Sequence, residues 1–141
     1  GFQLSEIEEQ RVGKLTQYWS SLGAAVVGLG GAPHPDSFFI SEIAPGYAAE
    51  VVASGAQGDI LSQFYRADGS VFDFETDYQQ IAFDIKRLPQ LRRVICLAGG
   101  PDKIEAILTA ARMKFISALV TDSDTAKAFY DIIRTRGTEA L

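Results

Sequence analysis

The chain has 141 residues, 47% hydrophobic and 22% charged, with 13 basic against 18 acidic side chains and a formal charge of −5. That length suits one domain with a core of its own, and the composition excludes disordered and fibrous classes. A net negative field repels a phosphate backbone, so this chain is not expected to bind DNA by itself.

No run approaches the roughly 20 apolar residues of a membrane-spanning helix, and no basic-then-apolar signal segment opens the chain, so a cytoplasmic location is expected. The lone cysteine, Cys96, lies in the apolar run Val94-Ile95-Cys96-Leu97-Ala98. It can form no internal disulfide, which fits a reducing compartment, and it reads as a small buried hydrophobe. The first residue is Gly1 rather than Met, which leaves a processed chain and a piece of a longer one both open.

In chain order, Leu4, Ile7, Leu15, Tyr18, Trp19 and Leu22 recur at helical spacing and predict an amphipathic helix that stops at Gly23. The run Ala24 to Leu29 lacks alternation and predicts a strand covered on both faces of a parallel sheet. Residues 30–37, with Pro33 and Pro35 among glycines, form a loop at the end of that strand. A short helix follows over Tyr47 to Ser54, stopping at Gly55. One strand is predicted over Ile60 to Arg66, turned at Asp68-Gly69 toward Val71 to Phe74. Ile81 to Phe83 suggests a further short strand, and Lys86 to Pro89 a helical turn halted by proline.

The last third alternates regularly. A strand over Arg93 to Ala98, Gly99-Gly100, a helix over Pro101 to Met113, a strand over Ala118 to Val120 and a helix over Ser123 to Arg134 are the pattern of βαβ units. Pro101 suits the first helical position, and Asp122 or Ser123 can cap the last helix. The fold class expected is α/β, a mostly parallel sheet flanked by helices in a Rossmann-like three-layer arrangement.

The strand, Gly99, Gly100 and the helix start that follow one another would aim free backbone N–H groups at the carboxyl edge of the sheet, which attracts anions. Lys103 lies in the first turn, where a cation opposes the helix dipole, and an anionic ligand would compensate it. The alternative is a tight turn with Lys103 in solvent. The spacing matches neither a P-loop nor a dinucleotide fingerprint. Gly28-Leu29-Gly30-Gly31 is a second strand-end glycine cluster, at which Gly30 allows close approach of a ligand. Gly58-Asp59 places a carboxylate at a strand entrance, where it could accept from sugar hydroxyls or cap a local turn. His34, the single histidine, is a surface loop residue on one reading and a ligand contact on the other. No Ser/His/Asp or Cys/His constellation and no metal set is legible.

Four ordered segments resemble the SorC-type sugar-binding domain of bacterial transcription regulators. They are Val26 to Gly30; Ser54 to Ile60 with Phe64-Tyr65 and Asp68-Gly69; Leu97 to Ile107; and Leu119 to Asp122 with Thr125-Ala126. The resemblance implies a NagB/RpiA-like sensor that binds a sugar or sugar phosphate, needs no cofactor, is not an enzyme and self-associates as a dimer or tetramer. Under it Lys103 and Asp59 contact the effector; from their places at the same sheet edge, Gly30, Gly58, Gly99, Gly100 and His34 are expected around them. It also implies that residues 1–141 are one effector-binding domain, the later half of a sensor. The family's helix-turn-helix head and upstream phosphate loop have no counterpart here. Gln57 departs from the family, standing where a small apolar residue is commoner. A sugar-phosphate isomerase or deaminase on the same fold, with Asp59 as base, is the alternative.

Overall fold

The computed structural model describes residues 5–37, 40, 45–74 and 80–137. Helix α1, Glu6–Ser20, starts on a capping box: the Ser5 hydroxyl accepts from the Glu8 amide at 3.4 Å, and the Glu8 carboxylate accepts from the Ser5 amide at 2.8 Å. None of its residues is buried. It is tethered through Trp19, whose ring meets Phe83 edge-on at 6.3 Å. The start at Leu4 expected from the periodicity lies outside the described residues.

Strands β1 (Ala24–Gly28), β4 (Arg93–Leu97) and β5 (Ala118–Val120) form a parallel sheet in the order β1-β4-β5, with Val27 opposite Cys96 and Cys96 opposite Leu119. Between them run α2 (Ala48–Ala53), a hairpin of β2 (Ala56–Ile60) and β3 (Gln63–Arg66), and α3 (Ile104–Arg112), with α4 (Ser123–Arg136) last. The chain is thus a mixed α/β fold with a three-stranded parallel sheet flanked by helices.

Three local expectations are corrected. The single strand over Ile60 to Arg66 is the turn and second arm of the antiparallel hairpin. Its reversal is made by Leu61 and Ser62, both left-handed at φ 54° and 59°. Neither is glycine, and the Asp59 carboxylate steadies the turn by accepting from the Ser62 amide at 3.2 Å. Ile81 to Phe83 is not a strand. Phe83 is buried in the core, and Ile85–Gln90 then forms a 3-10 turn that contains Pro89. Finally, the helix expected from Pro101 opens as a 3-10 turn, Pro101–Lys103, before α3 proper.

One face of the sheet carries the core. Val27, Val94 and Cys96 face Ile60, Tyr65, Ala106, Ile107 and Ala110, with Phe83, Ile85 and Leu88 closing the same cluster. Each fully buried aliphatic side chain there contributes roughly 1.5–3 kcal/mol. A smaller cluster of Ile40, Val51, Ala56, Phe64 and Phe74 joins α2 to the hairpin. Among the described residues the other sheet face is largely uncovered: Val26, Leu97 and Val120 are 69%, 51% and 56% exposed. Cover on both faces, expected from the unbroken apolar run of β1, is therefore found on one face only.

Candidate functional site

Because the strands are parallel, the loops after β1, β4 and β5 gather at one edge of the sheet. The hairpin is tied to that edge at Gly30, which exchanges backbone hydrogen bonds with Asp59 at 3.0 and 3.2 Å. A Cβ on Gly30 would run into the Asp59 carboxylate, so glycine is what allows the two segments to meet. Gly31 is equally constrained, since a Cβ there would lie 2.9 Å from the Asp102 carbonyl oxygen.

These approaches enclose a crevice of about 380 Å³ lined by Gly30, Gly31, Ala32, Pro33, His34, Ser37, Asp59, Phe64 and Asp102. Three of the expected residues, Gly30, His34 and Asp59, meet here. His34 is exposed, with Nδ1 accepting from the Asp36 amide at 3.3 Å. Ser37 was not anticipated; its hydroxyl oxygen is buried without a hydrogen-bond partner among the described residues. Asp102 and Phe64 were also missed. Asp102 is brought in by the contact of its backbone with Gly31, a tertiary approach for which the sequence holds only the glycine as a signal.

Asp59 is mostly buried. Desolvation raises its pKa, while the Ser62 amide and the Lys103 ammonium pull it back. Lys103 acts in the same way on Cys96, whose thiol burial pushes up to about 11. Thus Lys103 stands within electrostatic reach of Asp59 at the head of α3, although it makes no ion pair within 4 Å among the described residues. Beneath them the Tyr65 hydroxyl donates to the Ala106 carbonyl at 3.0 Å, and burial beside Asp59 holds its phenol far above the ordinary range.

The remaining glycines are arranged differently. Gly58 is buried, and a Cβ on it would lie 2.6 Å from both Ala106 Cβ and the Gly30 carbonyl and 2.9 Å from Tyr65 Oη. Its glycine identity is accounted for by packing against α3. Gly99 and Gly100 lie against the start of α4. Asp122 caps that helix, accepting from the Asp124 and Thr125 amides at 3.0 and 2.8 Å. Its second oxygen accepts from the Thr125 hydroxyl, which in turn accepts from the Gly100 amide at 2.8 Å. One of the N–H groups expected to face an anion is therefore spent inside the protein. Gly100 lines a neighbouring cleft of about 390 Å³ with Pro101, Ile104, Asp122, Asp124, Thr125 and Ala128. Lys103 lines neither cleft.

In parallel α/β sheets a crevice outside the carboxyl edge, such as this one, is where small molecules are usually bound. The family described as "Putative sugar-binding domain" matches residues 5–130, and the chain belongs to it. Among its relatives is the sorbitol operon regulator of Klebsiella pneumoniae, 32% identical over 126 residues, which are 86% of this chain and 39% of the relative. The transcriptional regulator LsrR of Enterobacter sp. (strain 638) is 35% identical over 111 residues, 74% of this chain and 34% of the relative. The crystal structure of the full-length Klebsiella sorbitol operon regulator SorC superposes with a TM-score of 0.74 at 29% identity, over 85% of this chain and 39% of that one. The chain thus spans about two fifths or less of the length of these relatives, one named as an operon regulator and the other as a transcriptional regulator. Among the described residues no helix is long and apolar enough to cross a membrane, and no group of three metal-ligating side chains is assembled.

Proposed function

We propose that residues 1–141 form one effector-binding domain of a bacterial transcriptional regulator of carbohydrate metabolism, with its sugar or sugar phosphate seated at the carboxyl edge of the parallel sheet. The observation that supports this reading is the crevice shared by Gly30, His34 and Asp59 at that edge, with Lys103 outside its lining but within electrostatic reach of Asp59. Asp59 accepts from ligand hydroxyls, and Lys103 donates to a hydroxyl or pairs with a phosphate. Gly30 and Gly31 give backbone-close access, and His34 closes the rim. Gly58 holds the strand that presents Asp59; Gly99 and Gly100 shape the turn that presents Lys103. The domain works by binding its effector more tightly in one conformational or oligomeric state, since only differential affinity shifts an equilibrium. The protein is cytoplasmic, carries no cofactor, catalyses nothing, assembles as a dimer or tetramer, and meets DNA through a separate helix-turn-helix domain.

Thermal unfolding of the chain with glucose 6-phosphate, ribose 5-phosphate and the free sugars tests this. A ligand present at ten times its dissociation constant stabilises by about 1.4 kcal/mol, a shift of several degrees. Loss of that shift in Lys103→Ala and Asp59→Asn supports the reading, and no shift with any of them at millimolar concentration removes it. The raised pKa of Asp59 is what an isomerase base would need. Turnover of ribose 5-phosphate, abolished by Asp59→Asn, would favour that second reading.

A further inference from the structure

A separate cleft of about 330 Å³ lies where the start of β2 meets the outer turns of α3 and the end of α4. The pairing of β2 with β3 shifts register there: Ala56 faces Arg66 and Gly58 faces Tyr65, so Gln57 between them occupies a bulge. A bulge re-aims the side chain it carries, and Gln57 lines the cleft. Beside it, on α3, Thr109 is 4% exposed. The hydroxyls of Thr16 and Thr135 in other helices donate to carbonyls of Gly13 and Asp131, both at 2.8 Å. Thr109 makes no side-chain hydrogen bond among the described residues, and it borders the cleft.

Two guanidinium groups complete the lining. Arg112 spends one nitrogen on the Ala67 carbonyl at 2.6 Å, and Arg136 lies 3.5 Å from the Glu105 carboxylate. The cleft therefore holds two cations against one carboxylate, in a molecule whose overall charge is −5.

We propose that this cleft binds a small oxyanion of the phosphate type. Arg112 and Arg136 supply charge and planar donors, the Thr109 hydroxyl supplies a hydrogen bond from the α3 wall, and the Gln57 amide adds a donor at the rim. Glu105 holds Arg136 until the anion replaces it. None of these side chains lines the effector crevice, so the inference does not depend on that site.

Titration of the chain with inorganic phosphate against potassium chloride of matched ionic strength, followed in amide proton–nitrogen spectra, tests it. Saturable shifts at Gln57, Thr109 and Arg112 are expected, with a roughly millimolar dissociation constant. Arg136→Gln and Thr109→Val should each weaken binding about fivefold or more, while Lys103→Ala leaves it unchanged. Shifts that never saturate, or that are the same in Arg136→Gln as in the unaltered chain, would mean a general salt effect and overturn the proposal. So would loss of binding in Lys103→Ala, which would place the phosphate at the effector crevice.

Discussion

On the inner face of the parallel sheet, Val94 and Cys96 are sealed under α3 and the hairpin, while one residue along, on the outer face, Leu97 stands in solvent with Val26 and Val120. The two faces are built from the same apolar residue types. What separates them is the cover, and cover is a property of the tertiary arrangement that strand hydrophobicity alone does not report. Stability should therefore be concentrated on the inner side, and the crevice at the carboxyl edge is assembled from segments anchored there.

Substitutions can measure this asymmetry, the largest effect coming from the inner face. Ile107→Ala, at a position with no exposure, should cost about 2–5 kcal/mol and lower the urea midpoint correspondingly. Gly58→Ala forces a methyl against Ala106 and the Tyr65 hydroxyl and should cost about 1–3 kcal/mol. Thr125→Val leaves the Gly100 amide without its acceptor and should cost about 1–3 kcal/mol, visible as faster hydrogen exchange at Gly100. On the outer face Leu97→Ala should change stability by no more than about 0.5 kcal/mol. A large cost there would show that the exposed face is bound to something within the folded chain.

Asp59 offers a pH-dependent version of the same contrast. Its folded pKa is raised, so below about pH 4 the carboxyl is neutral in both states and imposes no penalty. As pH rises from the ordinary value through the raised one, the unfolded chain ionises first and the fold loses stability. Above both values the loss is constant. Asp59→Asn should therefore raise the melting temperature at pH 7, with the gain disappearing toward about pH 3. An equal gain at both pH values would mean that packing, not charge burial, is responsible.

The final third of the chain was legible because three signals agree there: an apolar run for β4, glycines with Pro101 before α3, and Asp122 as the cap of α4. The hairpin was not, because its turn is Leu61-Ser62 rather than a pair such as Asn-Gly, and a left-handed turn without glycine carries no turn signal in the sequence. Phe83 is buried like a strand residue but sits in an irregular segment, so its hydrophobicity misreported its backbone. At the site, Gly30 and Asp59 were identified separately, and their mutual hydrogen bonding came only with the structure. Asp102 and Ser37 join them through loop contacts that no local pattern encodes.

The claim on which the functional account rests is that the crevice at the carboxyl edge receives the effector. Amide proton–nitrogen spectra of the chain during titration with glucose 6-phosphate and ribose 5-phosphate test it most directly. The account predicts saturable shifts centred on Gly30, Gly31, Asp59 and Lys103 with at least one of the two. Saturable shifts confined to residues away from these segments would contradict it.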